Sequence, residues 1–196
     1  MPAAKTHGRL FLVVGPSGAG KDTLIEAARR HFSGRCDVIF PKRTITRPAD
    51  AGGEAHIPVT PEAFRTQVSE GAFALHWFAH GLGYGIASTI SSDLAQGHHV
   101  VANVSRTVLD DARSRFRNVS ILSVTASPEV LATRLRDRGR EKGNDVKSRL
   151  ARARLLQPIG EDVVEIDNSG DLVTGSAFFI AAIATLARLD RQLATG

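Results

Sequence analysis

The chain has 196 residues, 42% apolar and 23% charged, which suits one globular domain with a core of its own and excludes a disordered or collagen-like chain. A net charge of +5 and a pI near 10.0 favour anionic partners, and because the arginines form no long basic run, small phosphorylated ligands are expected rather than nucleic acid or a membrane surface. The single cysteine, Cys36, excludes an internal disulfide, the histidines lack metal-ligand spacing, and no apolar run is long enough for a signal peptide core or a membrane span, so a reducing, cytoplasmic setting is expected.

Residues 1–8 form a polar start, and the run from Arg9 to Val14 predicts a first strand. Gly15, Pro16, Ser17, Gly18, Ala19, Gly20, Lys21, Asp22 and Thr23 follow it, and the stretch from Lys21 to Phe32 reads as a helix ended by Ser33-Gly34. Strand, glycine loop with GxxxxGK spacing, and helix together make a P-loop. Its N–H groups curl around phosphate oxygens, the helix start adds positive potential, and Lys21 reaches the β- and γ-phosphates of a nucleoside triphosphate. The residue after the lysine, a hydroxyl that binds magnesium in the usual pattern, is Asp22 here. That carboxylate either holds the metal, directly or through water, or only charges the helix start, and both readings stand open.

Asp37 to Phe40 predicts a short strand, and a charged, turn-rich loop runs from Pro41 through Glu54. Pro61 to Glu70 has helical spacing, Phe73 to Phe78 reads as a strand, and Gly81, Gly83 and Gly85 bracket Tyr84 in a binding loop. A short helix from Ser92 to Gln96 precedes Val100 to Val104, an apolar run suited to a strand buried on both faces, with Asn103 the polar exception that needs a partner. A helix is predicted over Thr107–Arg115 and a strand over Val119–Thr125. Ser127-Pro128-Glu129 opens a helix reaching about Arg138. A charged loop from Gly139 to Asn144, a basic helix from Asp145 to Leu156, a strand over Val163–Ile166 and a closing helix over Gly175–Leu193 complete the chain. The alternation predicts an α/β fold with a parallel sheet in three layers and ligands at the carboxyl ends of the strands.

The loop GPSGAGKDT is also where a family resemblance begins. With Thr44-Ile45-Thr46-Arg47-Pro48, Gly53-Glu54, Trp77 with Tyr84-Gly85, the run Arg134-Leu135-Arg136-Asp137-Arg138-Gly139 and the late Ile166-Asp167-Asn168, the chain resembles guanylate kinases. It departs from them where guanine is read: His76 precedes Trp77, Asn103 ends the core strand and His56-Ile57 follow the Gly-Glu turn, so no acid stands ready for the purine. The longer strings TRPADAGGE (Thr46–Glu54), ALHW (Ala74–Trp77) and Asn103-Val104-Ser105-Arg106 are similar to those of ribose 1,5-bisphosphate phosphokinases of bacterial phosphonate degradation, over roughly residues 9–170, and Asp22 agrees with that family.

This resemblance implies a P-loop kinase fold with a guanylate-kinase-like acceptor domain and a lid, in a single domain with core 9–36 and 97–196, an acceptor insertion over 37–96 and a lid at about 137–147. It implies ATP and magnesium as cofactors and transfer of a phosphoryl group to ribose 1,5-bisphosphate, giving 5-phospho-α-D-ribose 1-diphosphate. Gly15 to Thr23 and Asn168 are then expected at the nucleotide, Asp22 at the metal, Lys21, Arg134 and Arg138 at the transferring phosphoryl, with Arg140 a further lid arginine. Arg43, Arg47, Glu54, His76, Tyr84, Asn103 and Ser105 are expected at the sugar phosphate. The expected partner is a small phosphorylated sugar, without nucleic acid or membrane, and a homodimer is left open. A nucleoside monophosphate kinase and a non-catalytic guanylate-kinase-like module are the competing functions, and the intact loop with Lys21 argues against the module.

Overall fold

The computed structural model describes residues 7–51, 54–137 and 157–195. Its core is a five-stranded parallel sheet in the order β2-β7-β1-β8-β9, with β1 Leu10–Val14 at the centre, β7 His99–Asn103 and β8 Val119–Thr125 beside it, and β2 Val38–Ile39 and β9 Val163–Asp167 at the edges. All five residues of β1 are buried because both faces of the sheet are covered. Side chains alternate: Leu10, Leu12 and Val14 pack on one side with Leu94, Val108 and Ile86, while Phe11 and Val13 pack on the other with Leu24, Ala28, Phe179 and Ile183. The second group belongs to α1 Lys21–His31 and to the closing helix α6 Leu172–Thr195, and the first to the side of α3 Ile90–Ala95 and α4 Leu109–Arg115, which completes the three layers.

A second, four-stranded sheet in the order β4-β3-β6-β5 sits over the first layer, with β3 Thr44–Ile45, β4 Ile57–Pro58, β5 Phe73–Ala79 and β6 Leu82–Ala87, backed by α2 Pro61–Ser69. The glycine-bracketed segment around Tyr84 is thus a strand, not a loop. Gly83 and Gly85 belong in it because the rings of Phe64 and Phe73 lie where their side chains would be. His80 and Gly81, both at positive φ (51° and 75°), make the two-residue turn between β5 and β6.

Other boundaries shift for local reasons. β2 pairs with β7 in the parallel sheet, so the inserted sheet begins after residue 39 rather than at 37. α5 Pro128–Asp137 opens on Ser127, whose Oγ accepts from Val130 N at 3.3 Å. α6 starts three residues before Gly175, because Asp171 accepts from Thr174 N at 2.9 Å and sets the first turn. The loop and basic helix expected over 139–156 lie outside the described residues. Among the described residues no helix is long and apolar enough to cross a membrane.

The ends of the parallel sheet differ. At the amino edge Arg9 donates to Asp190 through Nε (2.8 Å) and Nη2 (2.5 Å) and to Ser120 Oγ (2.9 Å), stapling α6 across the strands. At the carboxyl edge β1, β7 and β9 end at Val14, Asn103 and Asp167, next to the glycine loop.

Candidate active site

The loop turns sharply at Gly20, which has φ 89° and ψ 17° and caps α1. Only glycine suits this point, since a Cβ would strike Asn168 Nδ2, and Arg134 Nη1 lies 3.7 Å from the same place. Lys21 Nζ folds back to donate to Gly15 O at 2.8 Å and Pro16 O at 3.0 Å, which holds the ammonium over the mouth of the loop. Gly15, Ser17, Gly18 and Gly20 line a cleft of about 250 Å³ together with Lys21 and Asp22. Its facing wall comes from the second sheet and from the end of β7: Arg43, Trp77, His80, Tyr84, Asn103 and Ser105. A second cleft of about 370 Å³ opens beside α1 and shares Asp22, Arg43 and Asn103 with the first, adding Arg29, Lys42 and Glu54.

Arg43 is held on two sides. Its Nε and Nη2 donate to the two oxygens of Glu54, the Nε contact at 2.9 Å, and its guanidinium lies 5.3 Å from the Tyr84 ring centre. Tyr84 stacks on Trp77 at 5.4 Å and 4°, and Trp77 belongs to the core, so the stack anchors a cation at the cleft wall. Arg47 lines neither cleft: its Nη2 bonds to His56 Nδ1 at 3.2 Å, His56 Nε2 donates to Arg47 O at 3.0 Å, and the buried Arg47 Nε has no partner among the described residues. On the loop side the buried Arg134 Nη1, delivered by α5, is likewise without a partner among the described residues.

Several expected site residues stand elsewhere. His76 is exposed on the face of β5 opposite Trp77, because Trp77 pairs with Tyr84 and strand neighbours alternate, so it is withdrawn as a sugar-phosphate ligand. Asn168, only 2% exposed, sits behind the loop and donates to Ala19 O at 2.7 Å, which clamps the loop. Asn103 meets its need for a partner within the protein, with one N–H of Nδ2 donating to Asp22 Oδ1 at 2.7 Å. Ser105 lines the cleft but already accepts from Thr107 N and Thr107 Oγ1 at 3.3 and 2.9 Å. Thr23 is exposed on α1, and Ala19 is buried and offers its carbonyl to Asn168. Arg138, Arg140 and nearly all of the expected lid lie outside the described residues.

One cationic residue was not singled out from the sequence. Arg106, next to Ser105, has buried Nε and Nη2 atoms without partners among the described residues, and burial pushes its pKa below the usual guanidinium value. Its signal was its place in the Asn103–Arg106 string.

No group of three or more metal-ligating side chains occurs among the described residues. A divalent cation carried by nucleotide phosphates needs only one or two carboxylates. Asp22 fits that demand: Oδ1 is fixed by Asn103, and Oδ2 has no partner among the described residues.

A parallel sheet, a phosphate loop with its lysine and a facing cationic wall define a P-loop kinase. The guanylate kinase family matches residues 7–168, and the chain belongs to that family. Solved structures agree on the fold: guanylate kinase from Anaplasma phagocytophilum superposes with a TM-score of 0.63 at 16% identity, covering 98% of this chain and 89% of that one. Much nearer in sequence are two proteins named ribose 1,5-bisphosphate phosphokinase PhnN. That of Rhizobium etli is 48% identical over 92% of each chain, and that of Brucella melitensis biotype 2 is 44% identical over 92% of this chain and 94% of its own.

Proposed function

We propose that the protein transfers the γ-phosphoryl group of ATP to the 1-phosphate of ribose 1,5-bisphosphate, forming 5-phospho-α-D-ribose 1-diphosphate and ADP. The identity to ribose 1,5-bisphosphate phosphokinases over nearly the whole chain supports this. The observation that carries the choice of acceptor is at Glu54: this carboxylate on the acceptor side spends both oxygens on a bidentate pair with Arg43, so reading the ring N–H and amino group of guanine would have to share or displace that pair. The wall left for the acceptor is cationic and suits a phosphate.

An oxygen of the acceptor 1-phosphate attacks the γ-phosphorus while the bond to the β,γ-bridging oxygen breaks and ADP leaves. That oxygen is already anionic at neutral pH, so no strong base is needed and catalysis is positioning plus charge compensation. Lys21 and Arg134 act on the donor phosphates, and the loop from Gly15 to Asp22 holds them with its N–H groups. Arg43 and Tyr84 orient the acceptor from the cleft wall, and the segment that carries the second sheet acts as the acceptor part. Asp22 would hold a magnesium ion, which would supply charge neutralisation to the nucleotide phosphates.

Phosphorus NMR of the purified protein with ATP and magnesium, with ribose 1,5-bisphosphate and GMP in separate tubes, tests the proposal. A new diphosphate signal is expected from the ribose tube alone. Transfer to GMP alone would return the protein to guanylate kinase chemistry.

A further inference from the structure

Two side chains at this site carry the two halves of one exchange. In P-loop proteins a serine or threonine after the loop lysine binds the cation, and the acid that completes the site stands on a neighbouring strand. Here the residue after Lys21 is Asp22, and β7, paired alongside β1 with Asn103 opposite Val13, ends in an amide. Asn103 Nδ2 donates to Asp22 Oδ1 at 2.7 Å, and both side chains line the wall that the two clefts share.

We infer that Asn103 is the positioning residue for Asp22, and that the pair is a transposed form of the hydroxyl–carboxylate pair, with the acid moved onto the loop and its neutral partner onto the strand. The exchange keeps a single negative charge at the pair. It also solves a positional problem, since Asp22 is exposed on the first turn of α1, where a carboxylate samples several rotamers. An amide holding Oδ1 selects one of them and leaves Oδ2 for the divalent cation that accompanies ATP. Asn103 is suited to this because its Nδ2 can only donate, so it must meet an oxygen of the carboxylate. The inference rests on the protein being an ATP-dependent kinase but not on the identity of the acceptor.

The test is manganous ion binding to the full-length protein saturated with β,γ-methylene ATP, read by the EPR signal of free Mn²⁺. Asn103→Ala is expected to weaken Mn²⁺ binding by about 10- to 100-fold, the range for residues that orient a metal ligand, with metal-free nucleotide binding and the melting temperature near native. Asp22→Ser should weaken it at least as much, and Asp22→Ser combined with Asn103→Asp should recover most of the loss, because that double variant restores the common arrangement. Unchanged Mn²⁺ affinity in Asn103→Ala would overturn the inference, as would a double variant that binds no better than Asp22→Ser. Because no sugar is present, recovery in the double variant would stand even if the NMR experiment found no transfer to ribose 1,5-bisphosphate.

Discussion

The two sides of the cleft are built by different means. The donor side is made of backbone: a strand buried on both faces, a turn at Gly20 that only glycine suits, Lys21 resting on two loop carbonyls, and Asn168 holding the loop from behind. The acceptor side is made of side-chain pairs on a small sheet: Arg43 with Glu54, Arg47 with His56, and Tyr84 between Arg43 and Trp77. Backbone amides take any polyphosphate, so the donor side leaves no room for change, whereas the acceptor side can be reassigned by replacing a few side chains. This division accounts for a guanylate kinase fold serving a sugar phosphate.

The division is broken first by Lys21→Ala, the substitution with the largest expected effect. Loss of the cation at the transferring group should lower kcat by at least roughly 10³-fold, while the melting temperature stays near native. Retained turnover would remove the loop from the chemistry. Arg43→Ala comes next, at a side chain that lines both clefts. A lost charge-assisted bond of about 1.5–3 kcal/mol corresponds to a fall of about 10- to 100-fold in kcat/KM for the sugar phosphate, with the ATP KM unchanged. A change in the ATP KM alone would move Arg43 to the donor side and dissolve the comparison. Asn168→Ala should cost about 1–3 kcal/mol of stability, because the buried Ala19 carbonyl loses its donor. A Tm lower by several degrees with nucleotide preference unaltered fits a clamp, while native Tm with relaxed preference for adenine would restore Asn168 to the base.

The donor side was legible in the sequence because its information is local. Strand, loop and helix occupy Leu10 to His31 without interruption, and each residue's role follows from its distance along the chain. Most strands of the core sheet were legible for the same reason, as apolar runs between turns. The acceptor side was legible only as strings of residues, since its pairings join positions 9 to 11 apart or lie across a hairpin. Nothing in the order of residues says that Glu54 takes both oxygens to Arg43, or that Trp77 pairs with Tyr84 and so turns His76 away. The segment around Tyr84 looked like a loop because its glycines weaken strand propensity, yet those glycines are what admit the Phe64 and Phe73 rings. Asn103 was recognised as a polar residue in need of a partner, but the partner is 81 positions away and belongs to the motif that was read most easily.

A contact that belongs to neither side provides the control for the whole comparison. Arg113 on α4 grips Asp162 just before β9 with Nε to Oδ2 and Nη2 to Oδ1, both at 2.9 Å, and reaches Ile159 O at 2.9 Å. This fastens the entry of the edge strand, away from the carboxyl edge where phosphates gather. The hydrogen bonds from Arg113 hold the Asp162 carboxyl below the usual carboxylate range. A carboxyl whose pKa is depressed by folding stabilises the native state fully above its unfolded value, about 3.9, and loses that contribution as pH falls through the lower folded value. Because the pair lies at the surface and is only partly buried, Asp162→Asn should cost only about 0.5 kcal/mol at neutral pH, and the gap from the native protein should close as acid protonates Asp162 in the latter. Urea titrations at pH 7 and pH 3 measure both quantities. Phosphoryl transfer by the variant should stay native, since no atom of the pair reaches either cleft. A loss of turnover at unchanged stability would mean that the position of β9 is coupled to the loop through Asn168 at its end, and that the donor side depends on more than its own backbone.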